Sequence, residues 1–200
     1  MARVPERGNV KTRLSAAIGP DRALAIYVRL LERTRKVVHE AAARTHAAVF
    51  WGGTGPAAAD WFARFDTAAE AFAQDGGDLG ARMRHACERL LASHRPVIIV
   101  GADSPDLTAD DLTEALACAA QDQIVFVPAA DGGYVAVAMQ TLAEPVFFDH
   151  GWGSASVLKN SLSALHQDGF QTLCRPVRHD LDEVQDLDRF PWLESPPFRA

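Results

Sequence analysis

The stretch "PVIIV" at residues 96–100 narrows the fold more than any other. A β-branched apolar run of this kind has no polar face to offer water. It therefore predicts a strand covered on both sides, as in a parallel sheet flanked by helices. "IVFVP" (124–128) and "YVAVAM" (134–139) have the same character, and "AAVFW" (47–51) and "FQTLCRPV" (170–177) read as further strands. Helical spacing falls between them. Residues 20–43 start with Pro20 in the first turn and carry Leu24, Tyr27, Val28, Leu31 and Val38 as a stripe. Residues 56–65 turn Trp61, Phe62 and Phe65 inward, and Leu79, Met83, Cys87 and Leu90 share one face of the next helix. Thr108 to Asp111 has the Ser/Thr-x-x-acid form of a helix start, with Leu112, Ala115, Leu116 and Ala119 behind it. A helix over 154–167 stops before Gly169, and residues 183–190 form a short terminal one. Strands alternating with helices predict an α/β fold with a mostly parallel sheet.

The 200 residues suit one domain, expected over 1–193, with 194–200 as a loose tail. A net charge of -6 argues against nucleic-acid binding, because phosphate backbones attract basic surfaces. No apolar run approaches the roughly 20 residues of a membrane span. The three cysteines, Cys87, Cys118 and Cys174, fit a reducing cytoplasm better than a disulfide framework.

In open α/β sheets ligands sit beyond the carboxyl ends of the strands. Three acidic clusters fall at such places: "GADSPDL" (101–107), "DGG" (131–133) and "DLDEVQDLD" (180–188). Carboxylates gathered with few lysines repel one another unless a cation joins them, and Mg²⁺ or Mn²⁺ prefers such oxygen ligands shared with phosphate. Near the start, "ARVPERGNVKTRL" (2–14) offers Lys11 and Arg13 to phosphate, with Gly8 allowing close backbone approach; the alternative is a solvated basic turn. Asp131 is a candidate general base, with a second metal ligand or a turn residue as its other readings. "DHGWGSAS" (149–156) reads as a lid or acceptor loop bearing Trp152 and Ser154, or as a loop whose Trp152 plugs the core. His150 and His179 lie near the expected mouth without forming a catalytic pair.

Six stretches in order, "ARVPERGNVKTRL", "QDGGDLGARM", "VIIVGADSPDL", "VPAADGGYVAV", "GWGSASVL" and "DLDEVQDL", resemble a bacterial transferase family. That family is associated with radical-SAM and selenium-linked genes, and some members are labelled arsenosugar-biosynthesis glycosyltransferases. It is similar to nucleotide-diphospho-sugar transferases of GT-A type and to small nucleotidyltransferases. The resemblance implies that Asp103 and Asp182 are metal-linked, and that Gly77, Asp78 and Gly80 form a loop near the base. It implies a donor that is a nucleotide-sugar or a nucleoside triphosphate, a small-molecule acceptor, and Mg²⁺ or Mn²⁺ as cofactor. Arg3 and Arg7 stand where the family usually has Lys and Pro, and Asp180-Leu-Asp-Glu replaces its Asp-Val-Asp-Thr string. The family's apolar first strand has no counterpart ahead of the opening loop, so a start codon further upstream or a truncated chain is expected.

Overall fold

A computed structural model describes residues 1–194. Its strands form two sheets. The first is parallel, in the order β1 (Ala2–Arg3), β2 (Phe50–Thr54), β3 (Glu70–Ala73). The second runs β4 (Val97–Val100), β6 (Tyr134–Met139), β5 (Gln123–Pro128), β7 (Gln171–Cys174). β6 is antiparallel to both β4 and β5, whereas β7 is parallel to β5. The double-sided burial expected of "PVIIV" in a parallel sheet is met in part: Val97 and Ile99 are buried, Ile98 and Val100 are only half-buried, and the neighbour is antiparallel. A two-residue first strand, Ala2–Arg3, lies at the start of the opening loop, where the sequence suggested none.

Six α-helices of the described residues pack on these sheets: α1 (Thr12–Ile18), α2 (Pro20–Thr45), α3 (Ala58–Phe65), α4 (Leu79–Leu91), α5 (Ala109–Ala119) and α6 (Val157–Gln167). At the start of α5, the Thr108 hydroxyl accepts from the Asp111 amide while the Asp111 carboxylate accepts from the Thr108 amide. This reciprocal cap satisfies two amides that a helix start leaves without partners. The expected terminal helix is a 3₁₀ turn over Val184–Arg189. Strand β3 and helix α1 were not foreseen. Glu194, the first residue of the expected tail, pairs with Arg22, and the rest of that tail lies outside the described residues.

Two packing regions position the site. Met83, Ala86 and Cys87 of α4 pack against Ile99, Val137 and Met139 of the second sheet. Burial holds the Cys87 thiol up at about 12, which fits packing and not nucleophilic chemistry. On the other side, Leu14, Ile26 and Leu30 enclose Leu181, Leu187 and Leu193. Leu181 is fully buried between Asp180 and Asp182, which both line a cavity. One aliphatic anchor therefore presents two carboxylates, and burying such a side chain stabilises by about 1.5–3 kcal/mol.

No helix among the described residues is long and apolar enough to cross a membrane.

Candidate functional site

A cavity of about 540 Å³ opens where β1, β2, β4 and β5 end. Its walls come from the opening loop (Asn9 to Arg13), the segment Gly101 to Asp103, Asp131 with Gly133, Trp152 to Ser154, and Asp180 with Asp182. The sheet edge thus brings together Lys11, Arg13, Asp103, Asp131, Asp182, Trp152 and Ser154. Gly8, Gly77, Asp78 and Gly80 are not part of its wall. Asp78 caps α4 by accepting from the Ala81 amide at 2.7 Å. Gly80 is needed for packing: a Cβ there would meet the Phe147 carbonyl oxygen at 2.2 Å.

Lys11 sits at the centre. Its backbone is left-handed (φ 45°, ψ 52°), an uncommon state for a residue with a Cβ. The buried anchors Val10 and Leu14 on either side hold the chain there. The ammonium donates to Asp103 Oδ2 at 3.2 Å and to Asp182 Oδ1 at 3.0 Å. Its side chain is 6% exposed, against 44% and 45% for the two aspartates. Burial alone would lower the Lys11 pKa, but the two carboxylates outweigh it and raise the pKa above the ordinary lysine value. Arg13 is exposed at the rim, 3.7 Å from Asp182 Oδ2.

The acidic segment is fixed by its own contacts. The Leu181 amide donates to the Asp103 carbonyl, tying the two acidic loops together. Arg178 donates twice to Asp111 at 2.8 and 2.6 Å, which fastens the segment to the cap of α5. Asp106 accepts from the His179 amide and contacts its ring. Asp186 accepts from the amides of Asp182 and Glu183.

Asp180 is a cavity residue that sequence reasoning passed over within its acidic run. Desolvation first, and then Asp131, Asp103 and Asp182, push its carboxyl up to about 6. Four carboxylates therefore share the cavity with the buried Lys11 ammonium and the buried Met1 amine. On the opposite wall, Arg82 Nε, Tyr134 OH and Trp152 Nε1 are buried polar atoms with no partner among the described residues. Trp152 packs against the core beside Tyr134, as its core reading expects, and it also lines the cavity. Arg82 and Tyr134 gave no sequence signal, since a helix arginine and a strand tyrosine have structural explanations. Asp131 holds its own turn by accepting from the Gly133 amide at 2.8 Å.

Among the described residues, no three His, Cys, Asp or Glu side chains cluster as a ready metal cage. The convergence of Asp103 and Asp182 on one ammonium nevertheless marks a point where two carboxylates serve a single cation. Asp103 and Asp182 are therefore the residues that would hold a hard divalent ion, which prefers oxygen ligands of this kind.

Comparisons with known proteins agree with this architecture. Over 100% of this chain and 88% of its own, a structure from Desulfovibrio desulfuricans G20 described as a "putative nucleotide-diphospho-sugar transferase" superimposes with a TM-score of 0.82 at 28% identity. Rv0371c from Mycobacterium tuberculosis H37Rv matches 97% of this chain and 95% of its own at a TM-score of 0.52 and 16% identity, a likeness of fold alone. No curated protein matches the sequence. The fold is nucleotide-diphospho-sugar-transferase-like, with a mixed second sheet. Residues 36–154 match the family described as "Uncharacterized protein conserved in bacteria (DUF2064)". With more than half of its length matched, the chain belongs to that bacterial family.

Proposed function

We propose that the protein is a metal-dependent transferase that uses a nucleotide-sugar donor. The observation that carries this reading is the buried Lys11 ammonium held between Asp103 and Asp182 at the carboxyl edge of the sheets, with Arg13 at the rim. The likeness over the whole chain to the Desulfovibrio protein supports it. So does a cavity with a cationic and acidic floor and a wall of unpartnered donors. Lys11 and Arg13 hold the donor phosphates by charge-assisted hydrogen bonds. Asp103 and Asp182 would hold Mg²⁺ or Mn²⁺, which supplies neutralisation of a departing diphosphate.

Asp131 and Asp180 are the two carboxylates left to accept the proton of an acceptor hydroxyl. Asp131 is the residue we assign as base, since its turn packs through Gly132 against Ala155 of the aromatic loop. Trp152 and Ser154 form the acceptor side of the cavity. Gly77, Asp78 and Gly80, which lie behind it, act by placing α4 and its Arg82.

The test is a product assay joined to a thermal-shift screen. With Mn²⁺ present, sugar nucleotides should raise the melting temperature, and acceptor-dependent release of a nucleoside diphosphate should follow. Pyrophosphate release from a nucleoside triphosphate would instead make the protein a nucleotidyltransferase. No shift with any nucleotide, with or without metal, would sink both readings and leave a binding or scaffold role.

A further inference from the structure

Four basic side chains line the cavity: Arg3, Lys11, Arg13 and Arg82. Lys11 and Arg13 stand beside carboxylates, and Arg3 is exposed, so water satisfies it. Arg82 is different. Its neighbours on α4 show how helix arginines are ordinarily satisfied: Arg84 pairs with Glu144 and Glu88, and Arg89 lies over the Phe72 ring at 5.0 Å. The Arg82 side chain makes no ion pair and no hydrogen bond among the described residues, and its Nε is buried.

The surrounding backbone is built to hold Arg82 in this wall. Gly76 has φ 122°, and a Cβ on it would stand 2.9 Å from the Arg82 nitrogen. Asp78 fixes the first turn of α4 through the Ala81 amide. Gly80 lets the aromatic loop come close, since a Cβ there would be 3.1 Å from Trp152 Cζ2. The Trp152 ring meets Tyr134 edge-on, with centroids 6.5 Å apart. Trp152 Nε1 and Tyr134 OH are also buried without partners among the described residues, so this wall carries a surplus of donors.

Guanidinium and indole N–H groups can only donate. A half-buried cation without a counter-ion is costly, and more so where part of it is cut off from water. The group that answers Arg82 therefore brings oxygen lone pairs and a negative charge together. A carboxylate or a phosphate does both, and the planar fork of arginine meets either with two parallel bonds. A neutral sugar or a nucleobase leaves the charge unanswered.

Resting on the transferase reading above, we propose that the acceptor is a small hydroxylated anion whose carboxylate or phosphate is held by Arg82. The anion is a handle and not the nucleophile. It anchors the acceptor on the α4 wall and leaves a hydroxyl free for Asp131, which lines the same cavity.

Titration calorimetry in metal-free buffer at fixed ionic strength tests this with glycerol 3-phosphate, D-glycerate and, as the neutral control, glycerol. The parent should bind both anions and not glycerol. Arg82→Gln should weaken the anions by about tenfold or more, and Arg82→Lys, which keeps the charge, should recover part of the loss. Equal affinity in the parent and Arg82→Gln would overturn the proposal. So would loss of anion binding in Arg13→Gln with retention in Arg82→Gln, which would seat the anions at the donor phosphates. A reading on the parent alone does not depend on how the variants fold: glycerol 3-phosphate should slow amide exchange in the first turns of α4, and slowing confined to residues 9–13 would refute the assignment. Mn²⁺-dependent nucleotide binding, measured in the same proteins, separates the two readings. Anion binding through Arg82 with no nucleotide binding keeps this site and rejects the nucleotide donor. Nucleotide binding with no anion binding does the reverse.

Discussion

Replacing Lys11 by Met keeps the length of the side chain and removes its charge. Two charge-assisted hydrogen bonds disappear, at 3.2 and 3.0 Å. Each such bond is worth about 1.5–3 kcal/mol when its partners are dry. Here the two aspartates are 44% and 45% exposed, so water recovers part of what they lose. Dropping the buried ammonium also relieves its desolvation, which a well-packed apolar replacement turns into a gain. Against that, Asp103, Asp131, Asp180 and Asp182 are left facing one another without their cation. The balance is a loss of about 2 kcal/mol, or about 4–8 °C in melting temperature for a domain of this size. Because the Lys11 pKa is raised, the ammonium stays charged through neutral pH. Its contribution is fully present below the ordinary lysine pKa and fades only as pH climbs through the raised value. Differential scanning calorimetry at pH 7 in low salt with a chelator measures the loss. Mn²⁺ should then restore more stability to Lys11→Met than to the parent, since the competing ammonium is gone. A melting difference under about 1 °C in chelator would refute the view that Lys11 is the resident counter-ion of the acidic loops.

Asp180→Asn removes a carboxylate that the fold disfavours. In metal-free buffer it should stabilise by about 1–2 kcal/mol above pH 6, discounted for its partial exposure, and the gain should vanish as pH falls toward 4 and the native carboxyl takes up its proton. The Met1 ammonium is shifted the other way, to about 6, so the unfolded chain binds more protons between pH 6 and 8 and stability should rise across that window. Nα-acetylation should flatten that rise in urea titrations, and an unchanged slope would show that the amine is solvated. Leu181→Ala should cost about 2–5 kcal/mol in urea unfolding and weaken nucleotide binding by calorimetry, because the anchor between Asp180 and Asp182 is lost. A stability loss with intact affinity would separate the anchor from the site.

The sequence carried the parts of this molecule that depend on local chemistry. The reciprocal cap of Thr108 and Asp111 is written in four adjacent residues, and β6 follows from an uninterrupted apolar run. Cys87 was placed by helical spacing alone. What escaped needed partners from elsewhere. β3 is "EAFA", whose strand state comes from pairing Phe72 with Gly52 and not from its own composition. α1 was hidden because Lys11, Thr12 and Arg13 suggest an anion loop, and Leu14 becomes helical when Leu181, 167 positions away (181 - 14), covers it. Asp103 and Asp182 were expected to stand unpaired and repel. Lys11 lies between them, a neutralisation that only the closed fold reveals. The raised carboxyl of Asp180 likewise depends on burial and on three distant aspartates.

Gly132 has a consequence for how the two sides of the site move. It holds φ 92°, and a Cβ there would stand 2.1 Å from the Ala155 carbonyl oxygen. Its own carbonyl accepts from the Leu158 amide at 3.0 Å. The turn that carries Asp131 is therefore clamped to the end of the aromatic loop and to the first turn of α6. Displacing Trp152 and Ser154 drags on the same hinge that sets the height of Asp131 above the cavity floor. The two walls are mechanically geared, so a ligand that presses on one resets the reach of the Asp131 carboxylate on the other.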